Sequence, residues 1–386
     1  MSDTGFACYN RRELVPHPGV LFMTHDQPID PITIARRIIA GGEITRSEAD
    51  TLLRMPIDGD EVYDLFYAAH KVRRHFHGNK ATFCSIVAAK FGTCSEDCKF
   101  CAQSSHYDTD IQPHTMMDGD EVKALCTDAR DRGASSFGLV NSGRGPNKKE
   151  WPKIVEAIQA MKAVGGVCHC ATLGELTPEQ ARELKALGIR RVNHNLETSR
   201  EFFPQIVTTH TWDDRVRTLK IAREAGLEIC TGGIFGMGEA IEDRLSMLFA
   251  LKELNPQVVP INFLNPIPGT PLENSPKLRP LEILKITAVT RMILPHADLK
   301  VAGGREKHLR DLQSWIFYVG ATSAIIGNYL ATMGRQNEDD LQMVSDLELE
   351  WHNERVGDID PNRSLEMEAL AAALPISEKA FSLPVL

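Results

Sequence analysis

Two hydrophobic rhythms alternate along this chain. From residue 81 onward, short apolar runs flanked by glycine are followed by longer segments whose apolar positions recur at helical spacing. "ATFCSIVAAK", "ASSFGLVNSG", "VCHCATLG", "IRRVNHNLE", "LEICTGGIFG", "QVVPINFLNPI", "ADLKVAGG" and "ATSAIIGN" read as eight strands with seven helices between them. In "TPEQARELKALG", Thr177 is a cap, Pro178 takes the first helical position, Gln180 completes a capping box and Gly188 ends the helix. Such repetition implies a parallel sheet, and eight units over residues 81–330 predict an α/β fold, a closed (β/α)8 TIM-type barrel. A doubly wound open sheet is the alternative, but no Gly-rich dinucleotide turn follows the first strand. Residues 1–80 read as an arm to about residue 30 and then an N-terminal helical extension. There, "DPITIARRIIAGGEITRSEADTLLRM" is helical on both sides of Gly41-Gly42, and "DGDEVYDLFYAAHKVRRHFHG" has Asp60 as N-cap and Gly78 as stop. Residues 331–386 form an acidic tail with a helical "EMEALAAAL", expected to pack on or near the barrel.

Charge removes some partners. The net charge of −9 leaves no basic excess for tracking nucleic-acid phosphates. No apolar run reaches the roughly 20 residues that span a bilayer, and the first residues lack an apolar signal core. A cytoplasmic location is expected.

The nine cysteines are unevenly placed, and an odd, clustered set in a reducing compartment points to metal or redox chemistry rather than disulfides. Cys94, Cys98 and Cys101 crowd the loop after the first strand, in "CSEDCKFC", with no fourth cysteine close by. That loop lies at the C-terminal mouth, where such barrels place their chemistry. A structural zinc site closes with four ligands. Three thiolates on a [4Fe–4S] cluster leave one iron open.

C-x3-C-x2-C with an aromatic before the last cysteine resembles the radical S-adenosylmethionine (SAM) superfamily. The open iron there chelates the SAM methionine, and reduction yields a deoxyadenosyl radical. "NHNLETS", "TTHTWDDRV", "CTGGIFGMGE", "VPINFL", "PGTPLE" and "AGGRE" follow in order, and with the cysteine loop they resemble the biotin synthase family over roughly residues 60–346. The resemblance implies sulfur insertion into dethiobiotin at two unactivated C–H positions. By position it implies that Cys94, Cys98 and Cys101 hold the SAM cluster and that Phe100 lies near the adenine. Arg215 would pair with the SAM carboxylate, Glu197 would reach the ribose in place of the shorter acid usual there, and Ile234 and Met237 would pack on the adenine. Asn195 and Asn262 would meet the substrate; both lie among apolar strand residues, where an unpartnered amide costs about 1–3 kcal/mol. A flavodoxin or ferredoxin donor and a homodimer are also implied.

The family carries a second, auxiliary iron–sulfur cluster that serves as sulfur source, usually [2Fe–2S] on three cysteines and an arginine. Cys170 and Cys230 match two of these, and Arg305 in "AGGRE" is read as the arginine. The third cysteine is replaced by Gly138. Cys84 on the first strand is the expected substitute, because Cys84, Cys170 and Cys230 lie on odd strands, Arg305 follows one, and alternate strands fill one interior layer. This pattern resembles variants from anaerobes and favours a 4Fe-type auxiliary cluster, with Arg305 beside it rather than ligating it. Cys168 is a reserve ligand, and the plain alternative for Cys84 is a small buried hydrophobe. Cys8 and Cys126 are read as bystanders, His194 as a hydrogen-bonded core histidine, and "RRHFH" as a solvated helix end. Rival functions are another radical SAM barrel, HydE-like or PylB-like, and a non-catalytic zinc-binding barrel.

Overall fold

The computed structural model describes residues 29–327, 330 and 334–351. The N-terminal arm up to residue 28, Cys8 within it, and "EMEALAAAL" fall outside the described residues.

Three helices lead in: Pro31–Ile39, capped by Asp30; Arg46–Arg54, with a Thr45/Glu48 capping box; and Glu61–His77. Asp60 does precede the third helix, but its side chain makes no cap hydrogen bond, while Gly78 ends the helix at φ 62°. The "RRHFH" end is solvated only in part: Arg74 and His75 are exposed, but Arg73 and His77 turn inward. Arg73 is fully buried and donates to the carbonyls of Ala321, Gly78 and Lys80, at 2.8, 3.1 and 2.8 Å. His77 is buried 2.9 Å from Arg291 Nη1. These two residues join the helical extension to the base of the barrel, which hydropathy alone reads as solvent-facing charge.

The barrel strands are β1 (Lys80–Lys90), β2 (Ser136–Asn141), β3 (Cys168–Thr172), β4 (Arg191–Asn193), β5 (Glu228–Cys230), β6 (Gly233–Phe235), β7 (Val258–Phe263), β8 (Asp298–Val301) and β9 (Ser323–Ile325). β10 (Glu350–Trp351) adds to β1 beside the start of the barrel. All pair in parallel, and β9 returns to β1 to close the cylinder. β5 and β6 share the fifth barrel position because "TGG" breaks the strand. A Cβ on Gly232 would fall 1.9 Å from the Pro260 carbonyl oxygen, and one on Gly233 2.2 Å from Met247 Sδ, so no side chain fits either place. The helix Pro178–Leu187 has the expected Thr177 capping box and a left-handed Gly188 at φ 95°. The single helix expected over "LRDLQSWIFYVG" is instead three short turns, Arg305–Leu309, Arg310–Leu312 and Trp315–Tyr318.

Side chains alternate between the barrel interior and the helices outside. Phe83 meets Phe317 edge-on at 6.5 Å, so its neighbour Cys84 faces inward. Cys84 registers with Ser136, and Ser136 with Cys168. A level layer in an eight-stranded barrel climbs about one residue per strand. Two strands from Cys84, the level residue is therefore Cys170. From Cys170 the register passes through Arg191 and Glu228, so the next is Cys230. It then passes through Val258 and Asp298, so the fourth is Lys300. Lys300 registers with Ser323, and Ser323 with Thr82, which brings the layer back to Cys84. One interior layer thus consists of Cys84, Cys170, Cys230 and Lys300.

Candidate active site

The mouth of the barrel holds a cleft of about 250 Å³ whose walls include Cys94, Cys98, Cys101, Phe100, Glu197 and Arg215. The cysteine loop opens through Gly92 at φ 76° and Thr93 at φ 47°. Left-handed backbone at a non-glycine residue is costly, and such strain gathers at functional sites. Burial pushes the Cys98 thiol up, and pushes Cys101 up to about 11. These thiols ionise readily only beside a compensating cation, which a metal centre supplies. Among the described residues no three His, Cys, Asp or Glu side chains converge on a single ion.

The opposite wall is polar and incompletely paired. Arg215, in the first turn of the helix Trp212–Glu224, donates through Nη1 to the Asn195 carbonyl at 2.8 Å and lies 3.5 Å from Glu197 Oε1. Arg215 Nε, Glu197 Oε2 and His194 Nε2 are buried without a protein partner. Burial raises the Glu197 carboxyl despite Arg215, and drives His194 well below its ordinary value, so its imidazole is neutral. His194 is therefore no satisfied core histidine, because its ring nitrogen awaits a partner at the cleft wall. Glu197 itself sits at φ 68°, held by bonds of Glu197 N to the Gly232 carbonyl at 3.2 Å and of Ile234 N to the Glu197 carbonyl at 2.8 Å. A guanidinium, a carboxylate and a neutral imidazole facing three thiols fit a ligand that carries carboxylate, amine and hydroxyl groups.

Not every expected residue lines this cleft. Met237 is buried, with its N–H donating to Glu239 at 2.7 Å, and Ile234 is partly buried against the core. Neither Met237, Ile234 nor Asn262 borders the cleft. Asn262 needs no ligand to satisfy its amide: Nδ2 donates to the Gly233 carbonyl at 3.2 Å and Oδ1 accepts from Gly303 N at 2.9 Å.

Away from the cleft lining, the thiol layer is a second candidate site. The Cys84 side chain is packed by Ile86, Ala302 and Ile325, and Asn193 Nδ2 lies 3.2 Å from Cys230 Sγ. Cys168 Sγ is 4.0 Å from Cys170 Sγ, one step lower on the same face. Beside Gly138, Ile86 fills the space: a Cβ there would meet Ile86 Cγ2 at 3.2 Å.

The expected cation is corrected. Arg305 does not face the thiols; it donates to both Asp340 carboxylate oxygens and to the Ile325 carbonyl, behind the layer. Lys300 takes the place beside them. Burial works against its ammonium, but Cys84, Cys230 and Cys170 outweigh that and hold its proton. The signal was present in "ADLKVAGG": a lysine inside a short strand, in phase with the inward positions. Beneath, Arg191 donates to Glu228 Oε2 at 3.0 and 2.7 Å. Four buried side chains at one level, three thiols and an ammonium, suit an anionic iron–sulfur group. A larger hollow of about 650 Å³, between Arg310, Ser314, Arg335 and Gln342, carries no thiol.

Residues 90–251 match the Radical SAM superfamily, and residues 260–350 match the Biotin and Thiamin Synthesis associated domain. The "Biotin synthase" of Geotalea uraniireducens (strain Rf4) is 46% identical over 318 residues, covering 82% of this chain and 96% of that one. The chain belongs to the biotin synthase family. The "Biotin synthase" of Pelotomaculum thermopropionicum is likewise 46% identical, over 82% of this chain and 98% of that one. Among solved structures, methylornithine synthase (PylB) aligns with TM-score 0.69 at 20% identity, covering 88% of this chain and 96% of that one. HydG from Carboxydothermus hydrogenoformans aligns with TM-score 0.71 at 18%, covering 90% and 91%. At such identities these two speak for the fold alone. The family implies a [4Fe–4S] cluster and SAM, with dethiobiotin as substrate of the sulfur insertion. Among the described residues no helix is long and apolar enough to cross a membrane.

Proposed function

We propose a division of labour by depth for this biotin synthase family enzyme. Cys94, Cys98 and Cys101 hold the [4Fe–4S] cluster at the mouth, and Cys84, Cys170 and Cys230 hold the auxiliary cluster in the interior layer. When bound, these groups and SAM supply the one-electron chemistry and the sulfur that turn dethiobiotin into biotin. Arg215 and Glu197 orient SAM through its carboxylate and ribose, using the atoms that lack protein partners. Phe100 borders the same cleft, on the side where the adenine would lie. Asn195 lies on the path from the mouth to the thiol layer, and its position suits a substrate contact. Asn262 holds the strand ends together, and Ile234 and Met237 support the wall from behind. Lys300 compensates charge at the auxiliary cluster without needing to ligate it. The level layer of three thiols, with Cys84 in place of a thiol at position 138, favours a 4Fe-type cluster over [2Fe–2S]. A flavodoxin or ferredoxin as electron donor, a cytoplasmic location and a homodimer complete the reading.

The observation that carries it is two thiol sets at two depths of one barrel, with unpartnered buried polar atoms beside the upper set. Anaerobic reconstitution followed by iron and sulfide counting, Mössbauer spectra and turnover of SAM with dethiobiotin tests it. Two spectrally distinct clusters and biotin product are expected. A colourless zinc protein, or a single cluster with full biotin yield, would sink the two-depth reading.

A further inference from the structure

The cysteine loop is also tied, through Asp97, to a segment distant in sequence. Within "CSEDCKFC", Asp97 accepts from Thr208 N at 2.9 Å, Thr209 N at 3.1 Å and Thr209 Oγ1 at 3.1 Å, and also from the Thr208 hydroxyl. Asp97 N returns a bond to Thr209 Oγ1 at 3.3 Å. One residue away, Glu96 Oε2 lies 2.7 Å from His210 Nδ1, and further along Lys99 N donates to the Ile206 carbonyl at 3.0 Å. The loop otherwise bonds largely within itself, as in Cys94 N to the Gln103 carbonyl and Ser105 N to the Cys94 carbonyl.

The segment that grips the loop leads directly into the helix Trp212–Glu224, whose first turn carries Arg215. Thr211 caps that helix in a capping box with Asp214. Phe203 joins the two ends, meeting the His210 ring at 5.6 Å and lying under the Arg215 guanidinium at 5.6 Å. We propose that Asp97 is a positioning residue, latching the cysteine loop to Thr208 and Thr209 and so setting the cluster thiolates at a fixed distance from Arg215. The inference rests on the reading of the cleft as the SAM site. The two groups that must grip one methionine moiety come from segments more than a hundred residues apart, and a side chain of one loop bonded four times to the other fixes their separation. A positioning group of this kind acts on SAM affinity and orientation more than on the cluster itself.

The test compares Asp97→Ala, Thr208→Val and Thr208→Ser with the wild-type enzyme. In reconstituted protein, Asp97→Ala is expected to raise the KM for SAM about tenfold or more, the loss typical of hydrogen bonds to a charged group, with a smaller change in kcat. It should also abolish the SAM-induced change in the electron paramagnetic resonance of the reduced cluster, at a SAM concentration saturating for wild type. In cluster-free protein it should speed iodoacetamide alkylation of Cys94 several-fold. Thr208→Val should show a weaker form of each effect, and Thr208→Ser should restore wild-type behaviour. Wild-type KM, spectrum and alkylation rate in Asp97→Ala would overturn the proposal. Should Asp97→Ala fail to fold or take up iron, an unchanged KM and alkylation rate in Thr208→Val would overturn it instead. A wild-type protein that shows no SAM-induced change would reject the SAM site itself, and the alkylation rates would then decide the latch alone.

Discussion

Arg305 donates to the two carboxylate oxygens of Asp340 at 2.9 and 2.6 Å, with both side chains fully buried. The pair joins the short helix Arg305–Leu309 after β8 to the helix Asn337–Asp346 near the end of the described chain. Removing one member of a buried pair costs about 3–5 kcal/mol; Glu306, 3.1 Å from Arg305 Nη2, stays as a partial counter-charge, so the lower end, about 3 kcal/mol, applies here. Asp340→Ala should therefore destabilise the fold by about that amount in urea unfolding. The auxiliary cluster in protein folded at low temperature should keep its wild-type Mössbauer parameters. A direct role of Arg305 at the cluster predicts the reverse, altered spectra with little loss of stability.

Lys300 should behave the other way. Lys300→Met keeps the length and removes the charge, so the thiol layer loses its only cationic member. Auxiliary iron should fall or its spectrum should change, while SAM-cluster iron and SAM cleavage at the mouth persist. Lys300→Arg should keep part of the auxiliary signal. Unchanged auxiliary spectra in Lys300→Met would remove the residue from the site.

Cys84 and Gly138 make a linked test. Cys84→Ser should lose auxiliary iron and biotin yield. Adding Gly138→Cys alone should not restore them, because a Cβ at 138 already meets Ile86 Cγ2 at 3.2 Å and a thiol needs more room. Trimming Ile86 to Ala in the same protein should allow at least partial recovery of iron, read by Mössbauer spectroscopy. Full iron in Cys84→Ser by itself would leave Cys84 as a buried hydrophobe.

Acid should loosen the mouth. Burial pushes the Asp97 carboxyl up, but its bonds from Thr208 and Thr209 outweigh that and hold it at about 2, against an ordinary 3.8. Asp214 is likewise held at about 2, first by the Thr211 backbone N–H. A carboxyl lowered on folding contributes stability that is present above the ordinary value and lost as pH falls through the folded one. Unfolding free energy should thus decline between about pH 4 and pH 2, and less steeply in Asp97→Ala. Equal slopes in the two proteins would contradict the assignment.

Much of this was legible in the chain because glycine-bounded apolar runs and helix caps are local signals. The Thr177 to Gly188 helix follows from local spacing, whereas the grouping of Cys170 and Cys230 follows from the family resemblance, and Cys84 joins them by lying on an odd strand. Arg305 misled because its place in the sequence, just past a strand, says nothing of Asp340, 35 residues on, which captures it. Lys300 is not legible in the chain's hydropathy, because a lysine between apolar neighbours reads as an edge charge until the register puts it inside. Arg73 and His77 failed for the same reason, their buried partners being distant backbone carbonyls and Arg291. Asn262 looked short of partners only because the carbonyl of Gly233 and the N–H of Gly303 come from other strands' ends.

The register of β1 against β2 also bears on depth. Ser136 pairs with Cys84, and the layer rises one residue per strand, so Gly138 stands one residue above the level of Cys84. A sulfur donor at 138 would lie about 3 Å nearer the mouth than its companions, since a strand advances ~3.3 Å per residue, and the plane through the donors would tilt. With Cys84 in that role the plane lies flat across the barrel axis. Under the proposed ligand set, the exchange of one cysteine between neighbouring strands would lengthen the gap between the radical's origin and the sulfur store, leaving headroom for a taller inorganic core.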